Sequence, residues 1–207
     1  MSNDEIAVIG LGYVGLPLAF SLSKKFRVIG FDISSEKISL YKKGVDVTNE
    51  IGDEVLKSTQ MAFTDNEPDI KEKEFYIVAV PTPIQENNLP NLKALQTSSE
   101  IVGRNMKKGS IVVYESTVFP GVTEEYCGPI IEKNSGIRCG EDFNLGYSPE
   151  RINPGDKVHT FEKILKIVSA QDEESLERIC EVYSSVIEAG IFKASSRTAR
   201  KLPNTVF

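Results

Sequence analysis

Histidine and cysteine are scarce: one histidine, His159, and three cysteines, Cys127, Cys139 and Cys180, in 207 residues, with no C-x-x-C spacing. That set supplies neither the four ligands of a structural zinc site nor an even disulfide framework, so no metal is expected and a reducing cytoplasmic setting fits best. The three cysteines are expected to be small buried apolar residues. A basic surplus is missing too: 24 Lys and Arg face 30 Asp and Glu, a net charge of -6. Broad attraction to nucleic acid or to an anionic membrane is therefore excluded, and a polyanionic ligand must be held locally. There are no internal repeats and no low-complexity run. A membrane-length apolar stretch is lacking as well. The best candidate, Ile6 to Ser23, carries no charge, but Gly10, Gly12, Gly15 and Pro17 interrupt it and Asp4 and Glu5 precede it. A spanning helix needs about 20 unbroken apolar residues and a secretory signal needs a basic start. This stretch instead reads as a strand, a glycine turn and a helix.

What is present is an alternation of apolar strands and helical periods. Ile6–Ile9 is a short continuous apolar run, the mark of a strand buried on both faces of a parallel sheet. From Tyr13 the pattern is helical, with Pro17 tolerated in the first turn, where N–H groups have no intrahelical partner. "FRVIGFD" predicts a second strand ending at Asp32, and "SSEKISLYKKG" a helix entered through Ser34 or Ser35 and closed at Gly44. "MAFT", "EFYIVAV" and "SIVVYES" read as strands, with a helix between Leu92 and Met106. Beyond them, "VTEEYCGPIIEKN" reads as helical despite Pro129, "FNLGYSPE" as strand then loop, "KILKIVSA" as a strand, and Asp172 opens an amphipathic helix. Such alternation predicts the α/β class, a Rossmann-like doubly wound, mostly parallel sheet with helices on both faces. The proline-rich loop Pro81–Asn91 follows a strand and falls at the carboxyl end of the sheet, where such folds bind ligands.

Gly10-Leu11-Gly12-Tyr13-Val14-Gly15 is a G-x-G-x-x-G in the context that gives it meaning, after a strand and opening a helix. Gly10 permits the tight turn, Gly12 the approach of backbone to a pyrophosphate, and Gly15 close packing of helix on strand, while the helix N-terminus favours negative charge. Asp32 ends the second strand, where a carboxylate accepts hydrogen bonds from a ribose hydroxyl; it would repel a 2′-phosphate, so NAD is expected rather than NADP. Its plainer reading is a turn or cap residue ahead of the next helix. Lys37 is the nearest cation, placed to flank the adenosine ribose or simply to face solvent.

The run from Ile6 to about Ser196 resembles the amino-terminal domain of the UDP-glucose/GDP-mannose dehydrogenase family, through "GLGYVGLPLA", "GFDI", "VAVPTP", "ESTVFPG" and above all "YSPERINPGDKVH". Within the family it is similar to the branch acting on UDP-N-acetylglucosamine or UDP-N-acetylgalactosamine, which supplies uronic acids for capsule and O-antigen. The resemblance implies oxidation of the C6 alcohol of a UDP-N-acetylhexosamine to a carboxylate with two NAD, through a thiohemiacetal and a thioester on a cysteine, in a full-length homodimer. Tyr13 and Val14 fall within the matching glycine turn. Thr82, Ser116 and Thr117 match positions lining the nicotinamide side, Thr117 also a hydroxyl that holds the catalytic water, and Glu150 a general acid/base. From residue type alone Thr117 is as readily a backbone-bonding threonine and Glu150 a solvated loop carboxylate. Arg151 suits a sugar, a phosphate or a local carboxylate equally. His159 matches no catalytic position and is expected to pack or face solvent.

None of the three cysteines matches the family's nucleophile, which lies beyond this domain. The expected division is a NAD-binding domain over residues 1–196 and a truncated or altered start of the family's central helix over 197–207, with the UDP-binding domain absent. Lys201 and Asn204 stand three apart with Pro203 between them, which breaks the helix on which the family carries a lysine and an asparagine one turn apart. A truncated chain, or a gene whose reading frame changes near Arg197, accounts for this, and such a chain is expected to hold NAD without turning over alone. Two rivals stay open: a non-catalytic dinucleotide-binding module, and a short hydroxyacid dehydrogenase.

Overall fold

In the computed structural model the described residues are 4–85, 89–150 and 161–194. Their strands are β1 (Glu5–Ile9), β2 (Arg27–Phe31), β3 (Ala62–Thr64), β4 (Phe75–Val78), β5 (Ile111–Tyr114), β6 (Asn144–Tyr147), β7 (Lys166–Ala170) and β8 (Ile191–Lys193). They form one sheet in the order β3-β2-β1-β4-β5-β6-β7-β8. Every neighbouring pair is parallel except β6 with β7, where Gly146 faces Ala170 and Tyr147 faces Ser169 in antiparallel register. The helices are α1 (Gly15–Ser23), α2 (Ser35–Lys42), α3 (Asp53–Ser58), α4 (Lys93–Asn105), α5 (Gly128–Ser135) and α6 (Glu173–Ser184).

The continuous apolar runs of the strands divide between two cores because successive side chains point to opposite faces. Ile6 and Val8 of β1, Phe75 and Ile77 of β4, and Ile111 and Val113 of β5 join Leu16, Leu22, Ile38, Ile179 and Tyr183 of α1, α2 and α6. Their chain neighbours Ala7, Ile9, Tyr76, Val78, Val112 and Tyr114 join Leu95, Val102 and Ile131 of α4 and α5 on the other face. A sheet apolar on both sides is stable only when helices cover both, as here. Both layers are needed.

The expected elements are present with small differences. Ser34 caps α2 by accepting from the Lys37 N–H at 3.3 Å, and Asp172 caps α6 by accepting from the Ser175 N–H at 2.7 Å. α1 begins at Gly15 rather than Tyr13, because residues 10 to 14 are drawn into the turn. Pro129 lies in the first turn of α5, and the Val122–Cys127 stretch before it winds as a wider π-helix, which accommodates the missing N–H. α3, β8 and two short 3-10 turns at Glu67–Ile70 and Phe161–Lys163 have no counterpart in the sequence reading, being too short to show a period. Cys127 and Cys180 are buried as expected, while Cys139 is only half-buried and places its Sγ 3.4 Å from Gln171 Oε1. Arg151, His159 and residues 197–207 lie outside the described residues.

Candidate functional site

β1 lies between β2 and β4, so the strand order reverses beside it and opens a crevice at the carboxyl ends of the strands. A cleft of about 1010 Å³ occupies that place. It runs across the ends of β2, β1, β4, β5 and β6, four strand spacings or about 19 Å. That length suits an extended, two-part ligand.

The glycine turn forms its middle. Gly10 has φ +91°, and a Cβ there would meet the Ala79 carbonyl oxygen at 2.8 Å; a Cβ on Gly15 would lie 1.8 Å from the Gly10 oxygen. Both are required by the protein's own packing. Gly12 differs, because among the described residues an added Cβ meets no atom within 4 Å, although the residue lines the cleft. The space it leaves faces a ligand. α1 has no side-chain cap on its first turn, so Tyr13 and Val14, at the cleft edge, present the N-terminal end of a helix to that space. This cradle fits the pyrophosphate of a dinucleotide.

Asp32 marks the β2 end. Its Oδ2 accepts from the Leu11 N–H at 2.9 Å and its Oδ1 from the Ser34 N–H at 3.0 Å, while Lys37 Nζ lies 2.7 Å from Oδ2. Asp32 thus fills the turn role weighed from sequence, accepting from the Ser34 N–H, while Ser34 itself caps α2. A carboxylate has about four acceptor positions, so these three bonds leave capacity for another donor. Lys37 is tied to Asp32 rather than turned to solvent, and both line the cleft beside the exposed Ile33.

At the opposite end the turns after β4, β5 and β6 converge. Thr82 Oγ1 donates to the Thr117 carbonyl at 2.8 Å and Ser116 Oγ to the Val80 carbonyl at 2.6 Å, so two of the three hydroxyls singled out from sequence lace the β4 and β5 turns together. Thr117 is exposed at the cleft wall, and Glu150 joins it there from the end of β6. The structure therefore brings together Thr82, Ser116, Thr117 and Glu150.

Behind this wall stands a group that sequence reasoning missed. Lys166, the first residue of β7, is 2% exposed and its Nζ lies 2.5 Å from Glu115 Oε2 and 2.9 Å from Glu150 Oε2. The Tyr183 hydroxyl donates to Glu115 Oε1. Burial pushes the Glu115 carboxyl up to about 7 against the opposing pull of Lys166. Burial also works against the Lys166 charge, but the two carboxylates outweigh it and its ammonium sits above the ordinary lysine value. The signal available was a charge at the end of each of two apolar runs, "VVYE" and "KIVSA", which reads equally well as a solvated strand end. The three thiols belong to no such site: burial pushes Cys127, Cys139 and Cys180 up, leaving them protonated and weakly nucleophilic.

Among the described residues no group of His, Cys, Asp and Glu is arranged to hold a metal ion, and no helix is long and apolar enough to cross a membrane. A model of the UDP-glucose/GDP-mannose dehydrogenase family, NAD binding domain, matches residues 4–187. The protein CapL of Staphylococcus aureus is 54% identical over 98% of this chain and 49% of its own length. The UDP-N-acetyl-D-glucosamine 6-dehydrogenase of Pseudomonas aeruginosa is 47% identical over 99% of this chain and 50% of its own. The solved structure of the UDP-D-ManNAc dehydrogenase of Pyrococcus horikoshii superposes with a TM-score of 0.85 at 33% identity, over 95% of this chain and 48% of that one. The chain spans about half the length of the curated relatives it matches.

Proposed function

The chain belongs to the UDP-glucose/GDP-mannose dehydrogenase family, as its NAD-binding domain, and we propose that it serves as the NAD-holding part of an enzyme oxidising the C6 alcohol of a UDP-N-acetylhexosamine to the uronic acid. The observation that carries this reading is the pairing of two ends in one cleft. A glycine turn with an open space at Gly12 lies in the middle, and a carboxylate, Glu150, stands four strands from Asp32 beside an exposed threonine hydroxyl, Thr117. The 47% identity with a relative named for UDP-N-acetyl-D-glucosamine directs the substrate class.

In this reading Gly10, Gly12, Tyr13, Val14 and Gly15 hold the pyrophosphate, Asp32 and Lys37 the adenosine ribose, and Thr82, Ser116 and Thr117 border the nicotinamide. Bound NAD supplies the hydride acceptor. A primary alcohol becomes a carboxylate by losing two hydrides, one to each of two NAD, and gaining the oxygen of one water, with three protons released. In the same reading Glu150 takes up the alcohol proton and later orients the hydrolytic water, with the Thr117 hydroxyl beside it. The protonated thiols of this chain are unsuited to the covalent step, which we assign to a part of the enzyme corresponding to the other half of the relatives, together with the grip on UDP and any dimer contact. A cytoplasmic setting accords with this chemistry.

The test has two stages. Calorimetric titration of the 207-residue chain with NAD and with NADP should show NAD bound far more tightly. A chimaera carrying residues 4–187 in place of the matching part of the Pseudomonas relative should form NADH from UDP-N-acetylglucosamine or UDP-N-acetylgalactosamine, and Glu150→Gln should abolish it. NAD binding with a silent chimaera would instead make the chain a dinucleotide-binding module.

A further inference from the structure

The antiparallel return of β7 is the one break in an otherwise parallel sheet, and it delivers Lys166 to the back of the cleft wall. There the side chains of Lys166, Glu115 and Glu150 are 3%, 0% and 9% exposed. Two carboxylates thus share one ammonium in a desolvated place. An ion pair buried this deeply is weak evidence for a merely stabilising role, since apolar residues of similar volume serve at least as well. The surroundings are specific. Lys166 Nζ lies 5.2 Å from the centre of the Phe161 ring and 5.9 Å from that of Tyr183, which flank its charge with aromatic faces. Glu150 is tied to the same cluster twice, by its carboxylate to Lys166 and by its backbone N–H to the Glu115 carbonyl at 3.1 Å.

We propose that Lys166 is a positioning residue of the reaction, holding the Glu150 carboxylate at the cleft wall, and that Glu115 and Tyr183 in turn hold Lys166. The assignment rests on the reading of Glu150 as the acid/base of the dehydrogenase. Among the described residues, the titratable groups facing Lys166 and Glu115 are Glu150 and Tyr147 from β6 and its end, and Tyr183 from α6. Both tyrosines are pushed up by burial and stay neutral, Tyr183 donating to Glu115 and Tyr147 accepting from the Val118 N–H. With Glu115 titrating near 7, at lower pH it carries a proton and the Lys166 charge falls to Glu150 alone. Above that pH the two carboxylates compete for it.

The sharing is tested first in the 207-residue chain, without any need for turnover. Carbon-13 labelling of the glutamate carboxyls and titration by NMR should find a Glu115 midpoint near 7. Glu150→Gln removes the competing charge and should lower that midpoint by about one unit, a tenfold change in proton affinity; a midpoint that stays put overturns the shared hold. The consequence is tested in the chimaera. Lys166→Met should cut kcat by about 10²-fold, the cost of a catalytic group misplaced by about 1 Å. KM for NAD should stay within about twofold, and Lys166→Arg should restore most of the loss. A kcat loss matched by a rise in KM for NAD, with no rescue by arginine, would make Lys166 merely structural. If the unsubstituted chimaera oxidises no sugar nucleotide, the dehydrogenase reading falls, and the NMR titration decides the Lys166 hold by itself.

Discussion

The three glycines of the turn should separate folding from binding, because the structure assigns each a different neighbour. At Gly12 an added methyl meets no atom of the described residues within 4 Å, and the backbone is outside the left-handed region. Gly12→Ala should therefore fold normally and gain about 0.4–1 kcal/mol from the restricted unfolded chain, raising Tm by about 1–4 °C for a domain of this size. The same methyl projects into the cleft where a pyrophosphate would meet the backbone. Overpacking of that kind costs about 1–3 kcal/mol, so NAD should bind about 5- to 150-fold more weakly. Gly15→Ala is the opposite case: its Cβ would sit 1.8 Å from the Gly10 oxygen, a backbone atom that cannot move without opening the contact of α1 with β1. A loss near 3 kcal/mol should lower Tm by about 6–12 °C. Gly10→Ala should behave likewise, with φ +91° adding backbone strain to the contact with Ala79. Thermal unfolding followed by circular dichroism without ligand, beside calorimetry with NAD, reads both quantities. Wild-type affinity in Gly12→Ala would refute the cradle, and unfolding of that variant would refute the open space.

Asp32→Ala should weaken NAD binding, erase the preference over NADP and also lower Tm, because the Leu11 and Ser34 N–H groups lose their acceptor; Lys37→Met should weaken binding with little change in Tm. Asp46 is another buried carboxylate, accepting from the Thr48, Ile51 and Gly52 N–H groups and the Thr48 hydroxyl. Asp46→Ala should cost about 2–3 kcal/mol in chemical denaturation. Burial pushes Asp46 up, but the bonds from Thr48, Gly52 and Ile51 outweigh it and hold the carboxyl below its ordinary 3.8. Its stabilisation is therefore complete above that value and lost as pH falls through the lower folded one, so the variant's stability should depend less on pH in acid. Thiol labelling of the native chain should modify half-buried Cys139 first, with Cys127 and Cys180 reacting only as the chain unfolds; fast reaction of either would contradict the packing of both cores.

The parts of the site that were legible in the sequence are those made from consecutive residues. A glycine turn must be written as glycines at fixed spacing, and Asp32 follows from where the next strand ends; both positions are reported faithfully by the chain order. Even there the sequence posed a choice that the geometry dissolves. Asp32 is at once the acceptor of the Leu11 and Ser34 N–H groups and a cleft residue, because one carboxylate serves several donors. The Glu115, Lys166 and Tyr183 cluster was illegible for a different reason. Its bonds join residues 51 and 68 positions apart, and they depend on β7 returning antiparallel beside β6, which the pattern of "KILKIVSA" does not announce. A lysine at the start of an apolar strand is most often a solvated end, and only the tertiary fold turns this one inward. Glu150 stands between the two cases. Its position after "YSP" is local, but the partner that makes it more than a loop carboxylate comes from another strand. A carboxylate in a desolvated place needs charges gathered from several strands to hold it, so the Glu150 end of the cleft is harder to read than the end built on the glycine turn.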